Sequence, residues 1–396
     1  MEHRIVHALV SVDGQYVGTA PPFEDAIPWW GEVADLTAHL DALLGVPTAV
    51  LRVAPTAGQS QPGGHVRYHV EAYGTPRAGV LDPTPPSDWA EIVRPQPLRA
   101  NWAEIGGPRR MVEWAGGIVP LAGKPVQVKT WNLSCLLRLP ISDGLAWAKA
   151  TSAFASADGD IIRHVRACDP SLAPEPIAVD LERRWSLLAH APGEDCWEPD
   201  DATVELVLRR WVSVQGVLAH QVGSIDAPAT PSNGFPAALD ELVERVAADL
   251  TPADREGVAA LTARLPSLLS QLDSAGLPHT VVHGDFHPGN WRSDGLHRKI
   301  VDWADAYLGH PAADIDRLVG RVPPEQGALA EKIWADAWRA TAPGSDPAAA
   351  IAPMAVLSKL VRGVLYQRFL DNIEPDERIY HEGDPLAMIR EAVEAI

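Results

Sequence analysis

Two stretches hold side chains whose types and spacing amount to a reaction centre. One is Thr280-Val281-Val282-His283-Gly284-Asp285-Phe286-His287-Pro288-Gly289-Asn290-Trp291; the other is Lys299-Ile300-Val301-Asp302-Trp303-Ala304-Asp305. An apolar strand delivers a His-Gly-Asp turn, an asparagine follows that aspartate by five residues, and a second apolar strand ends in another aspartate. Phosphoryl transfer draws on this set. It needs one carboxylate to orient and deprotonate an attacking hydroxyl, and hard oxygen ligands to hold Mg²⁺ on nucleotide phosphates. Magnesium keeps several waters, so one amide oxygen and one carboxylate suffice. A polar turn in which Asp285 merely caps a helix accounts for one residue and leaves Asn290, Asp302 and Asp314 as coincidences.

The pattern His-Gly-Asp-x-x-x-x-Asn, followed by an apolar strand ending Asp-Trp, resembles the aminoglycoside phosphotransferase family, which also takes in choline, homoserine and sugar kinases. Gly309-His310-Pro311-Ala312-Ala313-Asp314 matches that family's Gly-x-Pro-x-x-Asp. The resemblance implies that Asp285 is the catalytic base, that His283 braces the catalytic loop, and that Asn290 and Asp302 are magnesium ligands. It makes Asp314 a structural anchor for the loop. The implied reaction uses ATP and Mg²⁺ and phosphorylates a hydroxyl of a small molecule such as a sugar, amino sugar or aminoglycoside. A catalytically silent relative serving as a binding module is expected to lack one of Lys149, Asp285, Asn290 or Asp302, and all four are present.

These residues need a β-rich lobe to hold the nucleotide and a helical lobe to carry the catalytic loop. Residues Val126 to Ala150 have strand character, and Lys149 ends an apolar run that follows Leu136-Leu137-Arg138-Leu139 across the turn Ser142-Asp143-Gly144. A kinase supplies such a lysine to the nucleotide phosphates, and the strand-turn-strand-lysine order matches the family. The family's partner for this lysine is a glutamate about ten residues on. Here Asp158 stands at the matching place, with Asp160 as competitor. The phosphate-covering segment Lys129-Thr130-Trp131-Asn132-Leu133-Ser134-Cys135 contains no glycine, so backbone amides and Ser134 are the groups expected to cap phosphate oxygens. Adenine is expected on the main chain of the connector Leu187-Leu188-Ala189-His190. The predicted architecture is α+β: a bilobal protein-kinase-like fold, with the β-rich lobe over residues 99–190 and the helical lobe over 191–396. A small domain with a proline-rich linker precedes it over 1–98.

That front region predicts a hairpin about Asp13-Gly14, a helix over Glu32 to Leu44 stopped by Gly45, and strands over Pro47 to Val53 and Val66 to Tyr73. Its element order resembles a Nudix fold. A working Nudix hydrolase carries paired glutamates where this chain has Ala42 and Leu43, so hydrolase activity is not expected. Helices are predicted over Ala157 to Cys168, from Ala202, and over Ala237 to Leu250, Asp254 to Ala275, Pro324 to Thr341 and Ala348 to Asn372.

Composition narrows the classes further. A formal charge of −19 argues against a nucleic-acid-binding surface. Three cysteines, few and odd in number, fit a reducing compartment and no disulfide framework, and no Cys/His cluster has zinc spacing. No apolar run is expected to span a bilayer, and the amino terminus lacks the long apolar core of a secretion signal, so the expected location is cytoplasmic. Fourteen tryptophans are expected to serve mainly in cores, Trp334 and Trp338 included. The acidic residues from Glu194 to Asp201 are expected in a solvated loop leading into a helix amino terminus, where carboxylates suit the dipole.

Overall fold

In the computed structural model, which describes residues 3–54, 63–229 and 235–396, Asp13-Gly14 makes the first turn. Both residues have positive φ, 46° and 80°. The short loops that match strand twist require this geometry, and here it joins β1 (Arg4–Val12) to β2 (Gln15–Thr19). Next come β3 (Phe23–Asp25), α1 (Ala34–Leu44), β4 (Thr48–Ala54) and β5 (Gly64–Ala72). The strand order is β2-β1-β5-β4, with β3 also on β1. Among the described residues of this sheet, only the β1–β5 pair is parallel. Helix α1 turns Leu36, Leu40 and Leu44 inward and ends at left-handed Gly45, where a residue with no Cβ meets no penalty. Its apolar face joins Val6, Val50, Val66, Tyr68 and Val70 in one core.

The proline-rich stretch is irregular except for α2 (Trp89–Ile92), and α3 (Gly107–Gly116) follows. A second antiparallel sheet, in the order β6-β7-β8-β10-β9, is made of β6 (Val126–Thr130), β7 (Ser134–Ile141), β8 (Gly144–Thr151), β9 (Pro176–Asp180) and β10 (Trp185–Ala189). Both sheets fall in one compact unit, Met1–Ser152 with Ile177–Ala189. That unit also takes in Phe369–Glu382 from far along the chain. The returning segment is tied in by charge: Arg99 donates through Nε and Nη2 to Glu374 at 3.0 and 2.8 Å, and Arg52 lies 3.6 Å from the same carboxylate.

The second unit comprises Ala153–Pro176, His190–Arg368 and Gly383–Ile396. Its elements are α4 (Asp158–Cys168), β11 (Glu194–Asp195), α5 (Asp201–Leu218), α6 (Phe235–Arg245), α7 (Pro252–Ser274), β12 (Thr280–Val282), β13 (Trp291–Ser293), β14 (Arg298–Ile300), β15 (Tyr307–Gly309), α8 (Ala312–Val319), α9 (Pro324–Thr341), α10 (Ile351–Asn372, up to Arg368) and α11 (Asp384–Glu394). Asp200 caps α5 by accepting the Thr203 N–H at 2.8 Å, so the acidic run does lead into a helix start. Trp334 and Trp338 on α9 are fully buried, which makes them core residues.

One expectation needs correcting. Residues Pro347–Asn372 form a helix long and apolar enough, by length and composition, to cross a membrane. Lys359, Arg362, Arg368 and Asp371 interrupt the apolar run of this helix, which is expected over Ala348 to Asn372. Half of its apolar window is buried, and Lys359 and Arg362 engage Asp316 of α8 at 3.1 and 3.2 Å, the surroundings of a core helix.

Candidate active site

Strand β12 is wholly buried and pairs antiparallel with β15, Thr280 opposite Gly309 and Val282 opposite Tyr307. It ends at His283-Gly284-Asp285. Gly284 has φ 82°, and a Cβ there would lie 2.1 Å from the Asp305 carbonyl oxygen; only glycine permits that approach. His283 is fully buried. Its Nε2 donates to the Val301 carbonyl at 3.0 Å, and its Nδ1 accepts from the Asp285 N–H at 3.3 Å. Burial pushes the imidazole down to about 4, so it is neutral near pH 7. His283 therefore ties the turn to the strand ahead of Asp302.

Asp314, in the first turn of α8, anchors the same turn. Its Oδ2 accepts from Trp211 Nε1 (2.8 Å), Gln215 Nε2 (3.1 Å) and the His283 N–H (3.0 Å), and its Oδ1 from the Gly284 N–H (3.2 Å). Burial pushes this carboxyl up to about 6 despite four donors that favour its charge. Phe286, Trp211 and Trp303 pack around the loop, with ring centroids 5.2–6.4 Å apart.

Asp285 sits where these restraints converge. Arg317, on α8, donates to its Oδ1 from Nε at 2.9 Å and Nη2 at 2.6 Å. Nδ1 of His287 accepts the Gly289 N–H at 3.1 Å, which leaves Nε2 to donate to Asp285 Oδ2 at 3.2 Å. Burial alone would raise the Asp285 carboxyl. The His287 hydrogen bond and the Arg317 charge outweigh it and hold the group well below the usual carboxylate range. Asp285 is therefore ionised at any physiological pH.

Asn290 spends its Nδ2 on Asp285, donating to the backbone oxygen at 2.9 Å and to Oδ2 at 3.1 Å. Its Oδ1 is then the atom left to present to a cation. The Val301 N–H donates to the Asn290 carbonyl at 2.9 Å, which brings the strand leading to Asp302 alongside. Asp302 itself is exposed and left-handed, with φ 64°, a conformation that clusters at functional sites. One amide oxygen and one exposed carboxylate form a hard donor set that fits Mg²⁺.

The remaining predicted residues are placed as follows. Lys149 is 7% exposed on β8, between Leu136 of β7 and Ser186 of β10. Ser134 opens β7, and its Oγ accepts from Trp131 Nε1 at 3.0 Å. Asp158 opens α4 in the second unit, where its Oδ1 accepts the Trp303 N–H at 2.8 Å and fixes the backbone just past Asp302. His190 is half-buried; burial, then the Arg292 charge, lowers its imidazole. Arg317 and His287 had no role assigned from sequence. The signal for Arg317 was its place three residues after Asp314, one helical turn along α8.

The family described as the phosphotransferase enzyme family (APH) matches residues 126–350, more than half of the chain. The protein belongs to that family and is a kinase acting on hydroxyl groups of small molecules; its relatives use nucleoside triphosphates. No curated protein matches it. Among solved structures it is similar to macrolide 2'-phosphotransferase MphH from Brachybacterium faecium, with 16% identity, TM-score 0.52, and coverage of 71% of this chain and 97% of that one. The GDP complex of aminoglycoside 2'-phosphotransferase-IIIa gives 14% identity, TM-score 0.52, and coverage of 72% and 97%. The gentamicin complex of APH(2")-IIa gives 12%, 0.51, and coverage of 72% and 95%. At these identities the structures establish the kinase-like α+β fold.

Proposed function

We propose that the protein catalyses ATP + R–OH → ADP + R–O–phosphate + H⁺ with Mg²⁺, where R–OH is a sugar, amino sugar or aminoglycoside-like molecule. The observation that carries this reading is Asp285, a carboxylate held ionised and oriented at the tip of a fully braced turn. Asp285 accepts the hydrogen bond of the attacking hydroxyl and takes its proton. A carboxylate so stabilised is a weak base, so its main contribution is alignment, with the proton leaving late along a loose transition state. Asn290 Oδ1 and Asp302 would hold Mg²⁺, which supplies charge neutralisation on the phosphoryl oxygens. Lys149 is assigned to the nucleotide phosphates, Ser134 and neighbouring amides to covering them, and the His190 main chain to the base. Trp197 supports a ring-bearing acceptor: the residue is 56% exposed and its ring stacks on His287, with ring centroids 5.1 Å apart.

The amino-terminal sheet is assigned as a Nudix-like brace without hydrolase activity, since Ala42 and Leu43 occupy the places of the paired glutamates. The test of the main reading is ADP release by the purified protein with ATP and Mg²⁺, screened against aminoglycosides, amino sugars, neutral sugars, amino alcohols and nucleosides. Acceptor-dependent release that disappears in Asp285→Ala is the expected result. No release with any acceptor, together with no ATP binding, would refute it.

A further inference from the structure

The nucleotide reading above gives one loop a particular interest: the three residues Trp131-Asn132-Leu133 joining β6 to β7. Loops that fold over phosphates use glycine for close backbone approach, and this one has none. It is gripped instead. On the outer edge of β6, the Val33 N–H donates to the Val128 carbonyl at 3.1 Å and the Thr130 N–H to the Gly31 carbonyl at 2.8 Å. The Gln127 carboxamide bonds both the N–H and the carbonyl of Val50, each at 2.8 Å. The Trp131 ring meets Trp29 edge-on at 5.7 Å and Tyr380 at 5.9 Å, with His381 at 5.7 Å. Its carbonyl accepts from Trp102 Nε1 at 3.2 Å. Lys129 Nζ lies 4.7 Å from the centre of the same ring, so the grip also holds a cation at the loop.

At the tip stands Asn132. It is 2% exposed, and neither its Oδ1 nor its Nδ2 finds a hydrogen-bond partner among the described residues. Its main-chain carbonyl is fixed by the Ser152 hydroxyl at 2.7 Å. A buried carboxamide with both ends unpaired is costly and rare in folded proteins; a group kept in that state on a phosphate-covering loop has the chemistry to bond a phosphate oxygen through Nδ2. We propose that Trp131, clamped by Trp29 and Tyr380, positions this loop so that Asn132 serves the nucleotide phosphates. The amino-terminal sheet and the returning 369–382 segment then become positioning parts of the nucleotide site.

The experiment is calorimetric binding of Mg²⁺–ATP to the full chain, paired with urea midpoints and with ADP release at saturating ATP. Asn132→Ala is expected to weaken ATP binding about tenfold, the loss of one hydrogen bond to a charged group, with a urea midpoint no lower than wild type. Tyr380→Ala and Trp29→Ala are expected to weaken ATP binding while turnover at saturating ATP stays within about threefold. Tyr380→Phe should restore binding, because the Tyr380 hydroxyl makes no hydrogen bond among the described residues. Wild-type ATP affinity in Asn132→Ala would overturn the proposal, since that variant removes no side-chain hydrogen bond among the described residues. A lowered midpoint with unchanged ATP affinity in the aromatic variants would reduce the clamp to a structural brace and overturn it as well. A wild-type protein that binds no ATP would refute the nucleotide reading itself.

Discussion

Replacing Asp314 by alanine tests whether one buried carboxylate holds the catalytic turn. The substitution strips the acceptor from four N–H groups: Trp211 Nε1, Gln215 Nε2, and the backbones of His283 and Gly284. Each buried donor left unpaired costs about 1–3 kcal/mol. Against that stands a relief. A carboxyl raised from an ordinary 3.8 to about 6 reports a penalty of about 3 kcal/mol on its ionised form near pH 7, at 1.36 kcal/mol per pH unit. The unpaired donors win, and the net loss is on the order of 3–5 kcal/mol after relaxation. Asp314→Asn behaves differently. It keeps one oxygen for the three donors at Oδ2 and turns its amide toward the Gly284 N–H, so its net cost is about 1–2 kcal/mol. The pH dependence separates the two effects. The folded carboxyl holds its proton more tightly than the unfolded one, so its contribution is full below pH 3.8 and is lost as pH rises through about 6. Asp314→Asn should lack that slope. Urea unfolding at several pH values, with ADP release measured in parallel, reads all of this. An Asp314→Ala protein within about 1 kcal/mol of wild type and fully active would refute the reasoning.

Asp302→Ala should abolish turnover by removing a magnesium ligand, and excess Mg²⁺ should not restore it; measurable rescue would argue against that role. Asp285→Ala should reduce turnover about 10²–10⁴-fold, the range for a lost general base, and near wild-type rates would sink the mechanism. In Arg317→Ala the cation that holds Asp285 down is gone while its burial remains, so the acid limb of the pH–rate profile should move to higher pH. An unmoved limb would show that Arg317 does not tune Asp285. Glu377 is buried, and burial followed by the Glu374 charge lifts its carboxyl to about 8. Its stabilising contribution is therefore full below about 4.5 and lost as pH rises through about 8, and Glu377→Gln should flatten urea midpoints across that window.

Particular residues mark the border between sequence and structure. Asp13-Gly14 and Gly45 punctuate the chain through local backbone preference alone, and the structure has its first turn and the end of α1 there. His283, Gly284, Asp285, Asn290 and Asp302 stand out in the sequence as candidates because phosphoryl transfer needs such groups at short fixed spacings along one loop and the strand that follows it. Asp314 was legible for the same reason, one motif further on. Arg317 and His287 were not, because what they do to Asp285 is a matter of distance, and electrostatic coupling falls with separation in space rather than along the chain. The return of residues 369–382 to the first unit, sealed by Arg52 and Arg99 on Glu374, pairs groups about 300 residues apart in sequence, by the numbering of the residues. No periodicity or turn signal records such a contact. The sequence by itself determined the chemistry, because reactive groups are residue types at local spacings. Only the tertiary structure decided how tightly that chemistry is held, because burial, charge pairing and unpaired groups such as Asn132 exist only once distant segments are packed together.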